Sequence, residues 1–82
     1  MMALYYFEVR EGLSITEDQD GLEFASSAMA EAEAVRAAVS IAGDCLPQGA
    51  VRDVAVEVLD EHREPLLTAT VGLLVERLQP ST

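Results

Sequence analysis

The chain opens on an alternation of apolar and polar positions. In ALYYFEVR (3–10), Tyr5, Phe7 and Val9 share one face, while Tyr6, Glu8 and Arg10 share the other. A period of two in strongly β-prone residues predicts a strand, ended by Gly12. GLEF (21–24) repeats the pattern briefly, with Leu22 and Phe24 together and Glu23 opposite. The period then changes. SSAMAEAEAVRAAVSIAGD predicts a helix over 27–43, with Ser26 or Ser27 as the N-cap whose hydroxyl accepts a bond from a free first-turn amide. Ala28, Ala32, Val35, Val39 and Ala42 recur at helical spacing as a narrow apolar stripe that Leu46 would extend, and Glu31, Glu33, Arg36 and Ser40 fall mainly away from it. Glu33 and Arg36 are spaced to pair. Gly43 is the expected C′ residue, and Pro47 blocks resumption of the helix.

Alternation returns in VRDVAVEVLD (51–60), where Val54, Val56 and Val58 point one way and Asp53, Ala55 and Glu57 the other. After the polar turn DEHREP, Leu67, Ala69 and Val71 alternate with Thr68 and Thr70. The two runs predict a β-hairpin with a five- or six-residue connection. From Val71 onward VGLLVERL loses the alternation, and strand and helical turn are both open there. Residues 79–82 are expected to fray.

A helix over 27–43 spans about 26 Å, and an eight-residue strand spans about the same. One helix therefore covers one face of a small sheet. The predicted fold is α+β, a single domain over 1–82: a three- to four-stranded, mainly antiparallel sheet in the order β-β-α-β-β, with one α-helix packed on one face. The other face would carry Tyr6 and Ala55 beside Glu8 and Glu57. If Leu4, Tyr6 and Leu59 gather on that face, the patch invites a homodimer.

Composition narrows the partners. Half of the residues are apolar, yet there are only two Tyr, two Phe and no Trp, so the core rests on Val, Leu, Ile and Ala. A domain of this size buries only about 60% of its unfolded surface, and modest stability follows. Acidic residues number 15 against five basic ones, all arginine, for a net charge of −10. Such a chain repels a phosphate backbone and an anionic membrane, which argues against both as partners. It suits a protein partner, a basic one included. MMALYYFEVR has no basic n-region or apolar signal core, and no apolar run reaches membrane-spanning length, so a cytoplasmic location is expected.

The one stretch resembling a chemical site is ITEDQDGLEF (15–24). With Gly21 as the sixth position of a calcium-binding loop, Asp20 and Asp18 fall at the fifth and third, as required. Thr16 then occupies the first position and Ser27 the twelfth, where a bidentate glutamate belongs. Asp20-Gly21 is also a common turn pair, and a loose solvated turn accounts for the same residues. His62 sits with Asp60, Glu61 and Glu64 at an exposed hairpin tip, without the three or four convergent groups a metal needs. Cys45 follows Asp44 at the end of the helix, where a carboxylate and the helix C-terminus both oppose the thiolate. Tyr5, Tyr6 and Phe7 lack the basic groove of a base-stacking platform and read as core and interface. No catalytic, cofactor-binding or metal-ligating residue is expected, and the protein reads as a non-enzymatic module acting through protein–protein contact.

YYFEVREG at the start, DQDGLEF, the Ala/Glu-rich helix and VAVEVLDEHREPLLT near the end together resemble a family of short bacterial proteins, mostly alphaproteobacterial, known as a domain of unknown function. Many members of that family carry histidine or aspartate where Glu8 stands, and a glycine in the hairpin turn where this chain has HRE. The resemblance implies turn and core signals and assigns no functional residue. The short β-meander and acidic turn before the helix are also similar to small antitoxins with a partial ribonuclease-H-like fold, although their proline-glycine motif after the second strand is missing. That likeness implies an alternative role, the inhibitory partner of a basic protein.

Overall fold

The computed structural model describes residues 1–49 and 51–79. Its elements are β1 (Ala3–Glu11), β2 (Ser14–Thr16), β3 (Leu22–Phe24), α1 (Ser27–Cys45), a 3-10 turn (Leu46–Gln48), β4 (Asp53–Leu59) and β5 (Pro65–Gly72). They form an α+β domain in which one helix lies on an antiparallel sheet of order β2-β1-β4-β5. The strand β2, three residues long, adds to the predicted set.

β2 and β3 pair with the same edge of β1, at opposite ends. β3 runs beside Ala3–Tyr5, and β2 beside Val9–Glu11. Among the described residues the stretch between them has no strand partner on that side. β4 occupies the other edge of β1, with Glu8 opposite Glu57 and Arg10 opposite Ala55. β5 then pairs with β4 through a five-residue connection, with a register shift between Val58 and Leu59.

The alternations fall as read. Val54, Val56 and Val58 are fully buried against α1, with Tyr5, Phe7, Val9, Leu67 and Ala69 around them. Phe24 meets Tyr5 and Phe7 with ring centroids 6.1 and 5.9 Å away, the second pair edge-on. Aromatic edges of this kind fill the end of a core that aliphatic side chains leave thin.

The helix differs from the expectation in two respects. Its buried row is Ala30, Ala34, Ala38 and Ala42, whereas Ala28, Ala32, Val35 and Val39 of the predicted stripe are exposed. The row is entirely alanine because the sheet beneath already presents Val, Tyr and Phe. Only a methyl lets the helix backbone come down onto them at interior density. The helix also runs past Gly43 to Cys45, and Gly43 is no C′ residue. The stop comes at Gly49, at φ 76°, after the 3-10 turn that Pro47 opens. Ser26 is the N-cap, its Oγ accepting from the Met29 amide.

β5 ends at Gly72, and residues 73–79 adopt neither a strand nor a helix. Of the segment expected to fray, residues 80–82 lie outside the described residues. Among the described residues no helix is long and apolar enough to cross a membrane.

Candidate functional site

The acidic turn is a structural plug in the gap between β2 and β3. Asp18 Oδ2 accepts the Phe7 amide at 3.3 Å, across the part of β1 that no strand pairs. Its Oδ1 accepts the Asp20 and Gly21 amides at 3.1 and 3.0 Å. One carboxylate thus replaces the missing strand carbonyl and closes its own turn. Partial burial pushes the Asp18 carboxyl up, but the three amides and the nearby Arg63 charge outweigh that and hold it below the ordinary aspartate range. Gly21, at φ 74°, is needed there, since a Cβ would stand 2.9 Å from the Tyr5 carbonyl oxygen.

Arg63 reaches the same place from the distant hairpin. Its Nη1 donates to the Asp18 carbonyl at 3.0 Å, and its guanidinium lies 3.8 Å above the centre of the Tyr6 ring. Arg63 itself has φ 65°, in the left-handed region that favours glycine. Asp60 builds the turn that holds it, its Oδ1 accepting the His62 and Glu64 amides at 2.8 and 2.9 Å. The hairpin tip is therefore a clamp on the acidic turn. The His62 side chain is exposed, with its Nε2 3.5 Å from Glu61 Oε1.

On the sheet face away from α1, Glu8 and Glu57 stand directly opposite each other. Burial first, then the hydrogen bond and charge of Glu57, with Glu17 behind, raise the Glu8 carboxyl, and Arg10 opposes the rise. Arg10 Nη2 is 3.7 Å from Glu57 Oε1. With Tyr6, Thr68 and Thr70 alongside, this face is mixed and largely polar. Leu4, Tyr6 and Leu59 do gather at one end of this face, with Tyr6 opposite Leu59 and beside Leu4 at Gly21, but Leu59 is buried and Arg63 covers Tyr6, so they present no open apolar patch.

A cleft of about 400 Å³ opens beneath α1 beside the plug, floored by Phe7, Val9, Leu22, Ala37 and Val56 and edged by Glu17, Asp18 and Glu33. The Asp18 oxygens that face it are taken by amides. Cys45 is half-buried, far from His62 in the fold. Burial first, then Glu11 and Asp44, raise its thiol. Asp18 and Asp20 thus share one turn, His62 sits on the hairpin tip that clamps it, and Cys45 stands apart beside Glu11 and Asp44. Among the described residues no group of three His, Cys, Asp or Glu side chains is placed to hold a metal ion.

The helix also exposes an apolar row: Val35 and Val39 are 48% and 56% exposed, while Leu66 of β5, next to the core-facing Leu67, is exposed on the sheet face away from α1. Among the described residues β5 has one sheet neighbour, β4. The sequence reading assigned Val35 and Val39 to the core and so missed this surface.

No curated protein and no solved structure matches the chain. The family described as a domain of unknown function, DUF6894, matches residues 4–72, from the second residue of β1 to the last of β5. It thereby spans the plug, the clamp and the open edge, and the chain belongs to that family.

Proposed function

We propose that this domain works by contact with another protein chain, itself included, and performs no catalysis. The observation that carries the reading is the exposed Val35 and Val39 row on a helix whose alanine row already serves the core. Surplus apolar surface on a small domain that can bury little marks an interaction site. The polar groups with perturbed acidities are engaged locally: Asp18 with amides, and Glu8 with Glu57. The test is light scattering after size-exclusion at several concentrations, together with pulldown from the native cell. A strict monomer that retains no partner overturns the reading.

A second reading has its own motive. A net charge of −10, with Glu8, Glu57 and Glu17 close together, suits an inhibitory partner of a basic protein. In that case the captured protein is basic, and the complex weakens as salt rises. A salt-insensitive complex removes this version and leaves the first.

A further inference from the structure

Leu73 donates its amide to the Arg52 carbonyl, continuing the β4–β5 register. Antiparallel parity then turns the backbone groups of Leu67, Ala69 and Val71 toward β4, and those of Thr68, Thr70 and Gly72 outward. No described strand meets them. The strand PLLTATVG carries no charged side chain, and its only proline stands at the first position. An edge this long normally bears lysine, an inner proline or a bulge that discourages pairing.

The helix above is open on the same side. Four rows run along α1. Ala30, Ala34, Ala38 and Ala42 face the sheet, and Glu33 and Ala37 border the cleft on the β1 side. At 100° per residue the opposite flank, above β5, is Glu31, Val35, Val39 and Gly43. Both layers of the molecule thus end in uncovered, mostly uncharged surface at one edge.

We propose that this edge pairs with the same edge of a second copy, β5 against β5 in antiparallel register, forming one continuous sheet with both helices on the same face. This rests on the reading of the domain as a contact module and names the surface. Three features single out a copy of this chain over an unrelated strand. First, α1 packs on β4 and β5 about equally, so its axis lies near the boundary between them. That boundary is one strand spacing from a dyad running outside β5, which sets the two helix axes about 10 Å apart. Close-packed helices stand about 8–10 Å apart, so pairing the strands brings the helices into contact with no further adjustment.

Second, a dyad beside Ala69 sets Thr68 against Thr70 of the second copy, where each exchanges two backbone bonds and the hydroxyl side chains pair. Ala69 lies beneath the middle of the helix, because Ala30, Ala34 and Ala38 share its cluster while Ala42 lies further along with Val54 and Val71. The same dyad therefore sets Val35 against the second copy's Val39, and Glu31 against its Gly43, where no like charge stands opposite. Third, two chains of net charge −10 repel each other, and the approach is least opposed along a strip that is nearly free of charge. A strand about 26 Å long under layers about 20 Å high buries on the order of 500 Å² per copy, the lower range for a specific interface.

The test is sedimentation equilibrium of the full chain over a wide concentration range, with the wild type approaching twice 8.8 kDa. Hydrogen exchange of the Thr68 and Thr70 amides slows as the dimer fills. Thr70→Pro removes an outward amide from an edge position that tolerates proline, and Val39→Glu charges the helix flank at an exposed position. Each weakens dimerisation at least tenfold. Circular dichroism checks the fold, and Val39→Glu decides the matter if Thr70→Pro does not fold. A dimer that persists in the folded variants overturns this interface while association itself stands. A wild type that stays monomeric overturns the copy-on-copy pairing, whereas the contact reading is judged separately by its pulldown.

Discussion

Removing the Asp18 carboxylate is the sharpest perturbation the fold offers. Asp18→Ala leaves three amides without their acceptor. The Asp20 amide is exposed and finds water, so its loss costs little. The Phe7 and Gly21 amides are partly buried. A hydrogen bond to a charged group contributes about 1.5–3 kcal/mol when well buried. Discounted for partial exposure, the two bonds together are worth about 2–3 kcal/mol. In a domain of this size 1 kcal/mol moves the melting temperature by about 4–8 °C, so the variant should melt roughly 10–20 °C lower. Asp18→Asn keeps one oxygen and should lose about half as much. The pH dependence adds an independent check. The folded Asp18 titrates below its unfolded value, so its contribution is present above the ordinary aspartate range and is lost as pH falls through the folded value. The stability gap between wild type and Asp18→Ala, read by urea denaturation, therefore narrows as pH falls below the ordinary aspartate range. An Asp18→Ala protein within about 0.5 kcal/mol of wild type at neutral pH, or a gap undiminished in acid, refutes the plug.

Four further outcomes follow from the same contacts. Because amides occupy the Asp18 oxygens, millimolar calcium leaves the melting temperature unchanged, and a saturable upward shift would reinstate a metal loop. Gly21→Ala, forced against the Tyr5 carbonyl at a positive φ, destabilises by about 1–3 kcal/mol in chemical denaturation, and a neutral result would show that the turn is free to relax. Glu8→Gln removes one of two facing carboxylates and stabilises at pH 7 by roughly 0.2–1 kcal/mol. Folding raises the Glu8 value, so the penalty is absent at low pH, sets in as pH rises past the unfolded value and is complete above the folded one; a benefit that is instead largest in acid contradicts the pairing. Arg63→Ala keeps the strained backbone and loses the clamp, whereas Arg63→Gly loses the clamp and relieves the strain, so the glycine variant should be the more stable by about 1 kcal/mol.

β4 was legible because its evidence was unambiguous: valine at every second position admits one period and one buried face. The β4–β5 hairpin followed for the same reason. The helix was legible as a helix, but its orientation was not. Alanine stands at enough positions in α1 that two rows, 30/34/38/42 and 28/32/35/39, are both apolar. Hydrophobicity favours the row containing Val35 and Val39, yet packing against a sheet rich in valine and aromatics favours the row of methyls. The methyl row is the buried one because bulk on the helix matters less than bulk already supplied by its neighbour. The plug was hidden for another reason. Asp18 has its role only because β2 and β3 leave a gap on one edge of β1, and Arg63 reaches it across 45 residues. No local pattern records such a meeting, and ITEDQDGLEF, which reads as a loose solvated turn, is instead held to β1 and to the hairpin tip.

The two edges of the sheet are treated in opposite ways. On the β1 side two three-residue strands, an aspartate and an arginine stacked on a tyrosine together satisfy or cover the exposed backbone, and the strand beneath is charged at Glu8, Arg10 and Glu11. That edge is closed by devices that also deter a visiting strand. On the β5 side none of them is present among the described residues: eight residues run without a charge, and the register shift lies only at their start. Leaving such an edge unprotected exposes a protein to aggregation unless something covers it. In a chain whose core is held by alanine and valine, two of the valines left outside, Val35 and Val39, stand on the helix flank above that very edge. Stability and association then draw on different rows of the one helix, the alanines inward and the valines outward. Val35 or Val39 replaced by glutamate should accordingly leave the monomer's own melting temperature nearly unchanged, since neither residue contributes to the core, and lower only the part of stability that rises with protein concentration.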